Sequence, residues 1–183
     1  MSLSLLTPPA SEPVNLSDAK AHLKIDASDE DALLTTLITA ARARAEWHSG
    51  RALITQSWCL RLDHWPANNV VEIPLPPLQS VSSIATTSLD GIRTVMDTGL
   101  YRIDGASEPA RVIFTTRPQH LRSQDCLEIT FTAGYGDASA VPSAIRQAIL
   151  EILAALYTHR GDDAVPVGGS GQVLLAPYRM FKL

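Results

Sequence analysis

The chain has 183 residues, a formal net charge of -4 and a pI near 5.7. At this length it can bury roughly two-thirds of the surface of its unfolded state, so a core can form without a disulfide framework or a cofactor. The acidic charge and the absence of a run of basic residues argue against nonspecific binding to nucleic acid. Cys59 and Cys126, the only cysteines, lie far apart and outside any C-x-x-C spacing, which argues against zinc and redox motifs.

The start of the chain has neither the basic region nor the long apolar stretch of a signal peptide. No apolar run approaches the roughly 20 residues that span a bilayer. We therefore expect a soluble protein that is made in the cytoplasm and has no membrane partner. Residues 1–14, which contain three prolines, are predicted to form a leader.

Two helices are predicted in the first third of the chain, within residues 15–53. Asn15 is a capping residue, and good helix formers follow it through Leu23. Ser28 and the three acids after it predict the cap and first turn of a second helix. In this second helix apolar residues recur at spacings of three and four, and Gly50 can end it.

The pattern changes to period 2 in the middle of the chain. Trp58, Leu60 and Leu62 alternate with polar residues, as a half-buried strand requires. Asp90-Gly91 is a strong signal for a tight hairpin turn. About six short strands over roughly 80 residues predict an antiparallel sandwich or a barrel-like region at 54–140.

Helical periodicity returns after Pro142 and continues to about Arg160. The broad apolar face of this helix is expected to pack against the long second helix, although part of it could serve a neighbouring subunit. Residues 15–53 and 141–160 then form one helical module into which the β region is inserted. The predicted fold class is α+β, with a flexible C-terminal tail at 161–183.

Motifs that would indicate an enzyme are incomplete. Gly134-Tyr135-Gly136 lacks the lysine and the Ser/Thr of a phosphate-binding loop, and the five histidines have no metal-binding spacing. No serine or cysteine has the sequence context of a nucleophile. Asp162-Asp163 is expected in a solvated loop after a helix end. We predict no catalytic residue, no cofactor site and no metal site.

Three tryptophans flank the passage from the second helix to the first strand. An aromatic box formed by Trp47, Trp58 and Trp65 is conceivable. Tryptophans in such positions more often hold a helix against a sheet, and we expect that structural role.

The tail joins a glycine-rich hinge to an apolar, aromatic and basic tip. The hinge consists of Gly168, Gly169 and Gly171. The candidate docking residues of the tip are Leu174, Leu175, Pro177, Tyr178, Arg179 and Phe181. Two interpretations remain open: the tip packs back onto its own domain, or it docks onto a partner.

Several segments, in order and over nearly the whole chain, resemble the head-tail connector, or adaptor, proteins of long-tailed phages and of phage-derived gene transfer agents. The resemblance is carried by Leu16–Asp26, Asp29–Leu34, Gly50–Trp58, Ile73–Val81, Phe131–Gly136 with Val141-Pro142, and Leu174–Arg179.

The resemblance implies a non-enzymatic structural protein that forms a ring, typically of twelve subunits, beneath the portal. It implies as partners the portal protein, a stopper or other tail-completion protein, further copies of the same chain, and packaged DNA that passes through the lumen without specific binding. It also implies a location in the host cytoplasm during assembly and in the neck of the particle afterwards.

For the tail, the resemblance implies docking to the portal. The glycine hinge would accommodate a mismatch in symmetry or distance between the ring of this chain and the portal ring.

Two other interpretations of the whole chain are kept. The first is another tail-completion protein such as a stopper. The second, from a different class, is a small ligand-binding or hydrolytic domain that uses the tryptophans or the acidic loop.

Overall fold

The structure is a computed structural model that describes residues 1–159 and 169–180. The chain divides into two compact units. The β unit consists of Met1–Pro9 and Thr55–Gly134, and the helical unit consists of Ala10–Ile54 with the described residues from Tyr135 onward. The expected α+β class with antiparallel sheets is confirmed.

Eight strands form two antiparallel sheets in the β unit. The five-stranded sheet has the order β1-β2-β8-β4-β5, and the three-stranded sheet has the order β3-β7-β6. The strands are β1 (Ser2–Thr7), β2 (Gln56–Leu62), β3 (Val70–Ile73), β4 (Leu78–Thr87), β5 (Arg93–Val95), β6 (Tyr101–Asp104), β7 (Ala110–Phe114) and β8 (Leu127–Ala133).

β8 shows how the sequence pattern places the core of this unit. Its side chains are alternately buried and half-buried, with Leu127, Ile129 and Phe131 on the buried face. On the opposite face Glu128 accepts hydrogen bonds from Arg61 on the neighbouring β2 and from Arg93 on β5, two strands away across β4. The Arg93 guanidinium, followed by that of Arg61, lowers the pKa of Glu128. The charged residues therefore form a row across the polar face of the sheet.

β1 occupies part of the segment that was predicted as a leader. It pairs in antiparallel register with β2, so that Leu3 lies opposite Leu60 and Leu5 opposite Trp58. The first residues of the chain thus supply one of the two edge strands of the five-stranded sheet.

The helical unit contains α1 (Leu16–Leu23), α2 (Asp31–Ser49), α3 (Ser143–Thr158) and α4 (Ser170–Leu175). The Asn15 side chain caps α1 by accepting a hydrogen bond from the Asp18 backbone N–H, at 2.8 Å. Gly50 ends α2 with a φ of 71°, where a side chain would be strained. The prediction that Ser28 caps α2 is wrong, because the helix begins at Asp31 and has Glu30 at the cap position.

The core of this unit is built from the facing sides of the helices. α3 packs extensively against both α2 and α4, whereas α2 and α4 make few contacts with each other. The fully buried side chains include Ala41 and Ala45 of α2, Ile145 and Ile149 of α3, and Leu175 of α4.

Candidate interaction surfaces

The C-terminal segment Gly169–Met180 is folded against the rest of the helical unit. Leu175 is fully buried in the core of this unit. Gly171 is also buried, and a Cβ added to it would lie 3.2 Å from the Ala148 carbonyl oxygen and 3.3 Å from Cγ1 of Ile152. Glycine therefore lets α4 approach α3 closely. The structure places these two residues, predicted as an anchor and as part of a hinge, inside their own unit.

Hydrogen bonds to α3 and to the end of α2 hold the segment in place. The Arg51 Nε donates to the Tyr178 carbonyl oxygen at 2.6 Å, and the Met180 N–H donates to the Ser49 carbonyl at 2.8 Å. The Ser170 hydroxyl donates to Glu151 Oε2 at 3.0 Å. The segment is thus fixed at its start by α3 and at its end by the C-terminal turn of α2 and the residues after it.

Part of the predicted tip nevertheless faces solvent. Pro177 and Arg179 are exposed, and Leu174 and Tyr178 are half-buried against the core. Gly169 is exposed, and a Cβ added there would meet nothing within 4 Å. Gly168 and Phe181 lie outside the described residues. The accessible part of the tip is therefore centred on Pro177, Tyr178 and Arg179.

A second surface of the helical unit was not foreseen. Trp47, in the last turn of α2, is 80% exposed, so the expectation that it holds a helix against a sheet is wrong. Val173 on α4 is 73% exposed. The sequence pattern gave a partial signal, because Trp47 lies outside the series of apolar residues that marks the buried face of α2.

The other two tryptophans belong to the β unit. The Trp65 ring packs in a tilted orientation against the ring of Phe114, with 4.6 Å between the ring centroids, and its Nε1 donates to Asn69 Oδ1 at 2.7 Å. Trp58 lies on β2, paired with Leu5 of β1 and Phe131 of β8. Trp65 therefore has a structural role, and the aromatic-box interpretation has no support from its surroundings.

An ion network around the buried Arg42, which the sequence did not indicate, connects the end of α2 to the residues on either side of it. Arg42 lies at 2.7 Å from Glu12 and at 2.6 Å from Glu46. Glu46 in turn accepts a hydrogen bond from the Leu53 N–H at 3.0 Å. The network therefore links the segment before α1, the end of α2 and the point where the chain leaves for the β unit.

Within residues 1–159 and 169–180, no group of three or more His, Cys, Asp or Glu side chains is placed to hold a metal ion. Burial raises the pKa of both the Cys59 and the Cys126 thiol, which disfavours the reactive thiolate. Asp162 and Asp163 lie outside the described residues. None of the described helices combines the length and apolar character needed to cross a membrane.

These features define an α+β protein whose described residues present exposed side chains at the tip and around Trp47. Residues 13–96, which include α1, α2 and the strands through β5, match the family described as Phage gp6-like head-tail connector protein. This match confirms the resemblance to head-tail connectors. No curated protein matches the chain.

Solved structures of gene transfer agent (GTA) particles contain chains similar to this one over its whole length. In the neck of an empty GTA particle computed with C6 symmetry, the similar chain has 26% identity and a TM-score of 0.83, with 100% of this chain and 97% of that chain covered. The virion of a native GTA particle contains one with 25% identity and a TM-score of 0.83, at the same coverage. The neck of a native GTA particle computed with C12 symmetry contains one with 25% identity and a TM-score of 0.81, again at that coverage.

The matched family and the matched structures are those of connector and neck proteins rather than enzymes. This agrees with the prediction of a non-enzymatic structural protein.

Proposed function

We propose that this chain is the adaptor subunit of a phage or phage-like particle. It forms a ring of twelve subunits that docks to the portal and continues the DNA channel toward the tail. The observation that carries the proposal is the full-length similarity to a chain of the GTA neck, with a TM-score of 0.83 and 97% of that chain covered. The connector match at residues 13–96 supports the same role independently.

The number of subunits is inferred from symmetry. The necks that contain similar chains were computed with C6 and C12 symmetry, and a ring of twelve copies is compatible with both. A cyclic ring requires each subunit to present two different surfaces, one to each neighbour. Contacts between subunits, rather than a pocket, would carry this function.

In this proposal the C-terminal segment presents the portal-docking residues on a preformed platform. Leu175 stays in the core, while Pro177, Tyr178 and Arg179 face the partner together with Leu174. Phe181, which follows the described residues, is proposed to join this contact. A segment that is already ordered loses little conformational entropy on docking, and twelve copies that engage one ring add avidity. The hinge role is then left to Gly168 and Gly169, since Gly171 is packed against α3.

The remaining partners follow from the position in the neck. A stopper or another tail-completion protein would bind the face of the ring away from the portal. The net charge of -4 favours passage of DNA through the lumen without adhesion. Assembly would take place in the host cytoplasm before the particle is complete.

Electron microscopy of particles that contain this chain tests the proposal. We expect a ring of twelve copies directly beneath the portal. A position at the far end of the neck, without portal contact, would instead assign the chain as a stopper. Absence of the chain from the neck would refute both the adaptor and the stopper assignment.

The docking residues are tested by Arg179→Glu. We expect weaker association with the portal protein and an unchanged melting temperature, because Arg179 is exposed. Arg102→Glu is the matched control, since Arg102 is an exposed arginine on β6 in the β unit. Equal portal binding by the two variants would contradict the role of Arg179.

A further inference from the structure

The exposed side of α2 carries no charge over most of its length. Ala32, Thr36, Ala40, Ala43 and Trp47 follow one another at spacings of three or four, and all are exposed. Such residues share one face of a helix, and this face extends for about 22 Å. The other exposed positions between Ala32 and Trp47 are uncharged as well.

None of the charged side chains of this helix is exposed, and each is buried or half-buried. Arg42 is buried between Glu12 and Glu46, and Lys20 of α1 pairs with Asp31 at 2.7 Å. The solvent side of a surface helix normally carries charged and polar residues. A face without charges that ends in an exposed tryptophan is typical of a protein interface, where tryptophan is enriched among the residues that dominate binding.

A second uncharged surface lies on α4. Val173 is 73% exposed there, although it is flanked by the half-buried Gln172 and Leu174. α3 packs extensively against both α2 and α4, which contact each other little. The helical unit therefore presents two different uncharged surfaces, one along α2 and one around Val173 of α4.

We propose that the exposed face of α2 in one copy packs against α4 of the next copy, with Trp47 covering the neighbour's Val173. The inference rests on the proposed ring. A second copy is the occupant because a cyclic assembly needs two unlike surfaces on each subunit, and the helical unit provides such a pair. Similar chains in a neck computed with C12 symmetry supply the independent reason to expect identical neighbours.

Site-specific cross-linking tests which surfaces meet. A photoreactive benzoylphenylalanine replaces Ala43 in the full-length chain, and the purified particles are irradiated. We expect a product of twice the subunit mass, in which the captured peptide contains Ser170–Leu175 of another copy. Benzoylphenylalanine at Leu89, which is 65% exposed in the β unit, is the control and should not capture that peptide. Capture of any other peptide by position 43 would overturn the inference.

Charge substitution tests whether the contact is needed. Trp47→Asp and Val173→Asp should each reduce incorporation into the neck ring at least tenfold without lowering the melting temperature, because both side chains are exposed. Leu89→Asp should be incorporated like the wild type. If both of the first two variants fill the ring normally, the inference is wrong while the ring itself stands. If the wild-type chain forms no ring in the neck, the proposed function fails, and the inference fails with it.

Discussion

Asp104 shows how a single side chain links the stability of the β unit to pH. Its Oδ2 accepts hydrogen bonds from Arg111 at 2.7 Å and from the Ser107 hydroxyl at 2.8 Å. Arg111, followed by Ser107, lowers the pKa of Asp104 from 3.8 to about 2. Because the folded-state pKa lies below the unfolded value, the stabilisation is fully present above pH 4 and is lost as the pH falls toward 2.

We therefore expect Asp104→Asn to be less stable than the wild type at pH 7, with a difference that shrinks between pH 4 and pH 2. Urea denaturation at a series of pH values measures this difference. Asp90→Asn, in the exposed hairpin turn, is the control and should follow the wild type. A difference that stays constant down to pH 2 would show that Asp104 stabilises the fold by another route.

Leu175 and Val173 are near neighbours on α4 with opposite environments. Leu175→Ala should lower the free energy of unfolding by about 2–5 kcal/mol, because the side chain is fully buried and its loss leaves a cavity. Val173→Ala should change it by less than about 0.5 kcal/mol, since that side chain faces solvent. Chemical denaturation measures the free energy of unfolding of both variants. Equal losses would contradict the packing of α4 with Leu175 in the core and Val173 in solvent.

At the scale of elements, the close approach of α4 to α3 depends on Gly171. A methyl group at this position would lie 3.2 Å from a backbone oxygen, which cannot move aside as a side chain can. Gly171→Ala should therefore destabilise the protein by about 1–3 kcal/mol and expose α4 to proteolysis. Gly169→Ala meets no neighbour and should have neither effect. If the Gly171→Ala variant resists proteolysis, the two helices can accommodate the methyl group without loss of stability, and the close approach does not depend on glycine.

The elements that could be predicted from sequence are those with a strong period of their own. α2, α3 and β8 repeat their apolar residues over many positions, and the Asp90-Gly91 turn has its own chemistry. α4 has no such signal, because it is six residues long and begins in a glycine-rich stretch of poor helix propensity. It is folded through the burial of Leu175, which only tertiary structure reveals. β1 likewise depends on pairing with β2, since the paired residues lie 50 to 59 positions apart in the chain, from Thr7 with Ser57 to Ser2 with Arg61.

The same distinction holds for the candidate surfaces. The residue types of the tip were visible in the sequence, but the division between the buried Leu175 and the exposed Arg179 was not, because it depends on how α4 packs. Trp47 was visible as a tryptophan, yet its exposure follows from the orientation of α2. Residue types thus predict which chemistry is available, whereas packing decides which groups a partner can reach.

At the scale of the whole molecule, the larger part of the β unit, Thr55–Gly134, is inserted between two segments of the helical unit. The two points where the chain leaves and re-enters the helical unit are adjacent, since the Tyr135 N–H donates to the Leu53 carbonyl at 3.0 Å. The Glu46 carboxylate also holds the Leu53 N–H at 3.0 Å. An extended linker of two glycines spans about 7 Å, which is enough to join Ile54 to Tyr135.

We therefore expect a variant that lacks residues 1–9 and joins Ile54 to Tyr135 through two glycines to fold as an independent helical unit. Its core keeps all of the buried residues that pack between the helices. Circular dichroism during urea denaturation should show a helical protein with one cooperative transition. If the α2 and α4 surfaces hold the ring together, this variant should also enter the neck of the particle. A folded variant that stays out of the neck would place an essential ring contact in the β unit, whereas an unfolded one would show that the helices need the inserted sheets.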